Sequence, residues 1–134
     1  MVNIRSGTVI REPWISMILR SEKTWELRSK RTPKRGRVAL IRKRSGLIVG
    51  LATITGVLGP FEKDQFADHF DKHKVPKNKI EKARYAWILD DVVALERPIK
   101  YIHGGGVTWV NLDPAASEQA SAIDQLLRRD GASV

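Results

Sequence analysis

Lys23, Glu26 and Arg28 stand close together in the run Ser21-Glu22-Lys23-Thr24-Trp25-Glu26-Leu27-Arg28. Residues 23–28 alternate polar and apolar side chains, the signature of a strand with one buried face. Alternation puts Thr24, Glu26 and Arg28 on one face, with Trp25 and Leu27 on the other. A hydroxyl, a carboxylate and a fixed cation then point the same way. Arg28 offers a planar fork suited to phosphate or a base edge. Glu26 can accept from an exocyclic amine, or hold the two cations in place. Lys23 has the opposite parity, but at a helix-to-strand junction its long stem reaches the same cleft. Two chemistries follow. One is recognition of a nucleotide. The other is hydrolysis, with a desolvated Lys23 as base or nucleophile, Glu26 shuttling a proton and Thr24 supplying a hydroxyl. The plain alternative is an ion-pair cluster that serves only the fold.

Charge distribution favours a polyanionic ligand. The chain of 134 residues carries a net +9. Residues 1–50 hold 13 basic and 3 acidic side chains, against 11 and 12 in residues 51–134. The excess clusters between Arg20 and Arg44, and a one-sided field of this kind attracts nucleic acid. Arg31, Arg35, Arg37 and Arg44 form an arc able to track a phosphate backbone while the cleft captures one nucleotide. Single-stranded RNA suits this better than duplex, because bases must be unstacked to be read. An acidic protein partner for the arc is the alternative from another class. Of the four tryptophans, Trp14 is the stacking candidate, Trp25 and Trp87 have core-like neighbours, and Trp109 is unassigned. Ser16, Tyr101 and His103 are placed at the mouth of the same pocket.

Other signals exclude chemistry. Cysteine is absent, which removes disulfides, thiolate nucleophiles and cysteine-ligated zinc. His69 and His73 are four apart, but Phe70 occupies the place of the glutamate in a His-Glu-x-x-His motif, so no metal site is expected. Gly104-Gly105-Gly106 lacks the Gly-Lys-Ser/Thr of a phosphate loop. No cofactor is expected. No apolar run approaches a membrane span, and the first residues lack a secretion-signal core, so a cytoplasmic location is expected. Oligomeric state is left open between monomer and weak dimer.

The positioning elements read as a mixed, mainly β chain in one domain over 1–134. Strands are expected at Thr8–Arg11, Lys23–Arg28, Arg37–Arg42, Leu47–Val57, Tyr85–Leu95 (closed by Pro98) and Val107–Leu112. Gly50 and Gly56 mark bulges or close backbone approach. A short helix follows Glu12-Pro13-Trp14, with the acid beside the positive end of its dipole. A second helix spans 62–73 with Phe66 and Phe70 on its apolar face. A third spans about 114–129, capped by Asp113, with Ala116, Ala120, Ile123 and Leu127 on the face that docks. About five or six strands and two or three short helices, without regular βαβ alternation, favour a small α+β barrel.

Pro13-Trp14 followed by Ser21 to Arg28 resembles the signature of ASCH domains, a Gly-x-Lys-x-x-Glu-x-Arg run after a short helix. Lys23, Glu26 and Arg28 match it, and Ser21 stands where the pattern has Gly. Thr32-Pro33, Arg35-Gly36-Arg37, Tyr101-Ile102-His103 and Gly106-Val107-Thr108-Trp109-Val110 extend the similarity over about residues 8–112. The resemblance implies a PUA-like β-barrel flanked by helices, with a pocket beside the Lys-x-x-Glu-x-Arg strand. It also implies RNA or a nucleotide-like molecule as ligand. Members have been associated with nucleic-acid binding, RNA cleavage and hydrolysis of acylated nucleosides. In the amidohydrolase-like members the third residue after the lysine is a catalytic threonine, whereas here it is Glu26.

Overall fold

The computed structural model describes residues 4–103 and 108–129. Among these residues six strands form one curled sheet, an open half-barrel: β1 (Ser6–Ile10), β2 (Trp25–Arg28), β3 (Gly36–Arg42), β4 (Leu47–Leu58), β5 (Tyr85–Lys100) and β6 (Trp109–Asn111). Their order across the sheet is β2-β5-β4-β3-β1-β6. β1 runs parallel to β3, and every other neighbouring pair is antiparallel. Among the described residues, three α-helices complete the fold: α1 (Trp14–Leu19), α2 (Phe70–His73) and α3 (Glu118–Arg129). Among the described residues, no helix is long and apolar enough to cross a membrane.

β3 shows why the sheet curls between two apolar layers. Its centre, Val38-Ala39-Leu40-Ile41, is an unbroken apolar run, the pattern of a strand covered on both faces. Val38 and Leu40 join Ile15 and Ile18 of α1 in one core. Ala39 and Ile41 join Ile123 and Leu127 of α3 in the other. Each such buried Val, Leu or Ile side chain contributes about 1.5–3 kcal/mol relative to exposure. The two layers thus fix α1 and α3 on opposite faces, and α1 delivers the chain into β2.

The glycines of β4 behave as expected. The β4–β5 register shifts between Ile48 and Gly50 and again between Ile54 and Gly56. A Cβ on Gly50 would lie 2.8 Å from the Val93 carbonyl oxygen, so the backbones meet there because no side chain intervenes.

Several boundaries depart from the sequence reading. β1 spans Ser6–Ile10 rather than Thr8–Arg11. β5 runs past Pro98 to Lys100, because pairing to β4 skips from Ala94 to Ile99 and no ladder bond is asked of Pro98. Residues 63–69 form a 3₁₀ helix before the four-residue α2. The change of pitch turns Phe66 inward, fully buried, and leaves Phe70 exposed, so the two do not share a face. α3 begins at Glu118, not at residue 114. Asp113 instead accepts the Ala115 amide in a turn and pairs with Arg5, while Ser117 Oγ accepts the Ala120 amide at the helix start. Ala116 is therefore exposed outside the helix, whereas Ala120, Ile123 and Leu127 dock as expected. Gly104 to Val107 lie outside the described residues, so the triple-glycine turn and the start of the last strand carry no structural account.

The end of α1 is a Schellman motif. The Ser21 amide donates to the Ile18 carbonyl and the Glu22 amide to the Met17 carbonyl, both at 2.9 Å. Ser21 therefore adopts φ 61°, the left-handed region that glycine enters freely and other residues enter at a cost. This is the position where the ASCH-like pattern carries glycine. Ser21→Gly is expected to raise unfolding stability by up to about 1 kcal/mol in urea titrations. A loss of stability of that size would contradict a turn strained by its serine.

Candidate functional site

The Schellman turn aims Lys23 inward rather than to solvent. Its amide still bonds to the Met17 carbonyl, and the next amide, of Thr24, bonds to the Lys72 carbonyl. The Lys23 side chain is completely buried. Its Nζ donates to the carbonyls of Trp25 at 2.7 Å and His73 at 2.6 Å, and lies 3.7 Å from Glu26 Oε1. The Trp14 ring centre is 5.4 Å away. Burial holds the Lys23 pKa down at about 8, opposed by the neighbouring Glu26 carboxylate.

Glu26 and Arg28 follow on β2. Arg28 Nε donates to Glu26 Oε2 at 3.0 Å, and Arg28 Nη2 donates to the Val9 carbonyl at 2.9 Å. The guanidinium lies 4.9 Å from the Trp87 ring centre. Trp87 in turn stacks on Trp109 at 5.5 Å and 12° between planes, and its indole N–H donates to the Lys30 carbonyl. Arg28 is thereby held at three points, and Glu26 is held between two cations.

His73 supports this arrangement. Its Nδ1 accepts the Val75 amide at 2.9 Å, so Nε2 carries the proton and donates to the Phe66 carbonyl at 2.7 Å. Burial, the largest influence, lowers its pKa below the usual histidine value, partly offset by the Phe66 bond. With both nitrogens engaged, the ring is neutral and orients the carbonyl that receives Lys23. His69 packs instead on Trp25 at 4.9 Å, so the two histidines do not converge. Among the described residues, no group of three or more metal-ligating side chains forms.

Lys23, Glu26 and Arg28 open onto a cavity of about 350 Å³. Trp14, Val75 and Ile80 give it an apolar side, continuous with the small core around Phe66. Its basic lining side chains are Arg11, Lys23, Arg28, Lys43, Lys79 and Lys82, against two acids, Glu26 and Glu81. Val9, Arg28 and Lys43 are shared with a second cavity of about 530 Å³, also lined by Arg44, Gly46, Tyr101, His103 and Thr108. The two are lobes of one cleft.

The structure brings together Trp14, Lys23, Glu26 and Arg28 in the first lobe, and Arg28, Arg44, Tyr101 and His103 in the second. It separates the rest. Thr24 precedes β2 and lines neither lobe, so it does not share the face of Glu26 and Arg28. Ser16 is held by the Glu12 carboxylate and by Arg42 away from the cleft. Arg31 donates to the Gly59 carbonyl, Arg35 to the Thr32 and Lys34 carbonyls, and Arg37 to Thr53 and the Asp91 carbonyl. These three line neither lobe. Sequence reasoning missed Lys43, which stands in the turn Lys43-Arg44-Ser45-Gly46 between β3 and β4, beside the end of β1. It also missed the Lys79–Ala83 wall, which arrives from a polar loop with no local signal.

Comparison with known proteins agrees with this architecture. The ASCH domain family model matches residues 9–99. Solved structures similar in fold include the ASCH protein of Zymomonas mobilis, at 12% identity and TM-score 0.71, covering 88% of this chain and 94% of that one. Two single-residue variants of that protein match at 13% and 14% identity with TM-scores of 0.73 and 0.70. They cover 92% and 94% of this chain, and 99% of each variant. No match is found among curated proteins.

The depressed Lys23 value makes a testable statement about stability. An unfolded lysine titrates near 10.4. Between about 8 and that value the unfolded chain keeps a proton that the folded chain has released. The contribution of Lys23 to stability therefore rises with pH across this window. Urea unfolding of the native chain and of Lys23→Met, compared from pH 7.5 to 10.5, should show the native chain gaining on the order of 2–3 kcal/mol relative to the variant. A constant difference would mean that Lys23 titrates as an ordinary exposed lysine.

Proposed function

Because the chain belongs to the ASCH domain family, a family generally thought to bind RNA, we propose that its cleft captures one nucleotide of single-stranded RNA or a nucleotide-like ligand. The observation that carries this reading is the fixed Lys23–Glu26–Arg28 set opening onto a cavity of about 350 Å³, a volume at the small end of ligand pockets. Trp14 offers an aromatic face to a base on one side of it. Glu26, already anchored by two cations, presents its remaining lone pairs to an amine or imine edge. Besides the buried Lys23, the five basic side chains of its lining, Arg11, Arg28, Lys43, Lys79 and Lys82, favour an anionic ligand. A splayed-out base fits such a lobe, and a base inside a duplex does not reach it.

Fluorescence titration with a short single-stranded RNA is expected to give binding near neutral pH that weakens as salt rises, with a log–log slope near −0.7 per phosphate contacted. Glu26→Gln should weaken it about ten- to hundredfold with unchanged circular dichroism, by removing a charged acceptor worth about 1.5–3 kcal/mol. Absence of RNA binding, or affinity indifferent to salt, would sink the reading.

Hydrolysis of RNA or of an N-acylated nucleoside is the second reading, favoured by one observation, the complete burial of the Lys23 side chain, which holds its pKa down at about 8. The same geometry restrains it. Nζ already donates to two backbone carbonyls, and Thr24 lies outside both lobes. Incubation with N-acetylcytidine, beside a Lys23→Ala control, is expected to show no lysine-dependent turnover. Turnover that disappears in the control would establish the enzyme.

A further inference from the structure

We propose that the second lobe is a phosphate site, so that the ligand of the cleft is a nucleotide and not a free base or nucleoside. The proposal rests on the first lobe being the base pocket. The two lobes differ in chemistry. The first contains carboxylates, an indole and an apolar side formed by Val75 and Ile80. The second is lined by Arg28, Lys43, Arg44, Tyr101 and His103, and no carboxylate lines it among the described residues. Donors without acceptor carboxylates are what a phosphoryl group requires.

Two of the three Arg and Lys side chains there are also free of carboxylate partners. Among the described residues, neither Lys43 nor Arg44 makes an ion pair. Arg28 spends Nε on Glu26 and Nη2 on the Val9 carbonyl and the Thr8 hydroxyl, while Nη1 has no hydrogen bond among the described residues. Arg28 is a wall of both lobes, so a single guanidinium touches a base on one side and its phosphate on the other.

The lobe is built rather than incidental. The Lys43 amide donates to the Ile10 carbonyl at 3.0 Å, and the Tyr101 amide donates to the Gly46 carbonyl at 3.0 Å. Ser45 closes the turn between them, accepting the Leu47 amide and donating to the Arg42 carbonyl. Arg44 stands at φ 65°, a conformation that glycine or asparagine adopts more readily. An arginine held there puts a fork-shaped cation where the turn alone would favour a smaller residue. Tyr101 and His103 are joined by a 3.0 Å bond between the hydroxyl and Nδ1, which orients both toward the same space.

The phosphate can be a terminal monoester or a diester within RNA, and the ligands tested separate these. Calorimetry of the full chain would use the four ribonucleosides, their 5′- and 3′-monophosphates, a single-stranded hexamer and inorganic phosphate. A monophosphate is expected to bind at least tenfold more tightly than its nucleoside. The stronger of the 5′ and 3′ forms, set beside the hexamer, identifies the source. Arg44→Gly keeps the turn and should reduce the monophosphate-to-nucleoside ratio at least fivefold. Arg97→Ala, which removes the same charge from an exposed position on β5, should leave that ratio unchanged. Equal binding of nucleoside and monophosphate would overturn the phosphate lobe while leaving the base pocket standing. An equal loss in both variants would overturn it as well, reducing it to a general field. Competition by inorganic phosphate without any response to nucleosides would support the phosphate lobe and remove the base pocket beside it. Silence from every ligand would remove both.

Discussion

A lysine ammonium with no exposed side-chain surface organises this end of the molecule. A charge removed from water is unfavourable unless it is paired and hydrogen-bonded. Lys23 meets that condition with two backbone carbonyls and one carboxylate, and these come from two places in the chain. Trp25 and Glu26 belong to β2, and His73 to the end of α2. To satisfy the ammonium, the fold must bring the 3₁₀–α2 segment against β2. That segment also carries Phe66, around which Val75, Ile80 and Trp14 gather. One buried cation therefore links the wall of the first lobe to the strand that presents Glu26 and Arg28.

Helix α1 makes this burial possible. Its Schellman turn reverses the chain so that Lys23 leaves the helix pointing inward, and Ser21 accepts a left-handed backbone to close it. α1 is in turn anchored by Ile15 and Ile18 on β3 and β4. Glu12 joins its first turn to Arg42 through the network that also holds Ser16. Ser16 consequently serves the placement of α1 and not the cleft directly.

Chemistry carried by adjacent residues was legible in the sequence, and chemistry assembled across the sheet was not. Alternation over 23–28 identified the strand, and the Lys-x-x-Glu-x-Arg spacing identified the three groups that meet. Thr24 escaped the pattern because Lys23 and Thr24 precede the strand, so period-two parity begins only at Trp25. Phe70 escaped because a 3₁₀ helix and an α-helix share composition and differ in rotation per residue. Pro98 misled because a proline is excluded from a ladder only where a bond is asked of it. His73 was weighed as a metal ligand, yet its role is to orient a carbonyl, and no spacing rule announces that. The pairing of Arg44 with Tyr101 and His103 depends on a turn and a strand end meeting across 57 residues of chain, which periodicity cannot report.

The basic arc separates two properties that composition merges. Arg31, Arg35 and Arg37 each donate from Nη1 to a backbone carbonyl, Arg37 to the Thr53 hydroxyl as well, and none of them pairs with a carboxylate among the described residues. Carbonyls are dipoles and do not cancel a full charge. These arginines consequently still contribute to the long-range positive field, although they line neither lobe. Lys34 does both, lying 5.1 Å from the Trp109 ring that stacks on Trp87 and so backs Arg28 from behind. The field that draws an anion in and the contacts that retain it thus fall on different residues. Attraction from a distance tolerates substitution anywhere in the arc, whereas retention depends on the few cations whose donors remain unspent inside the cleft.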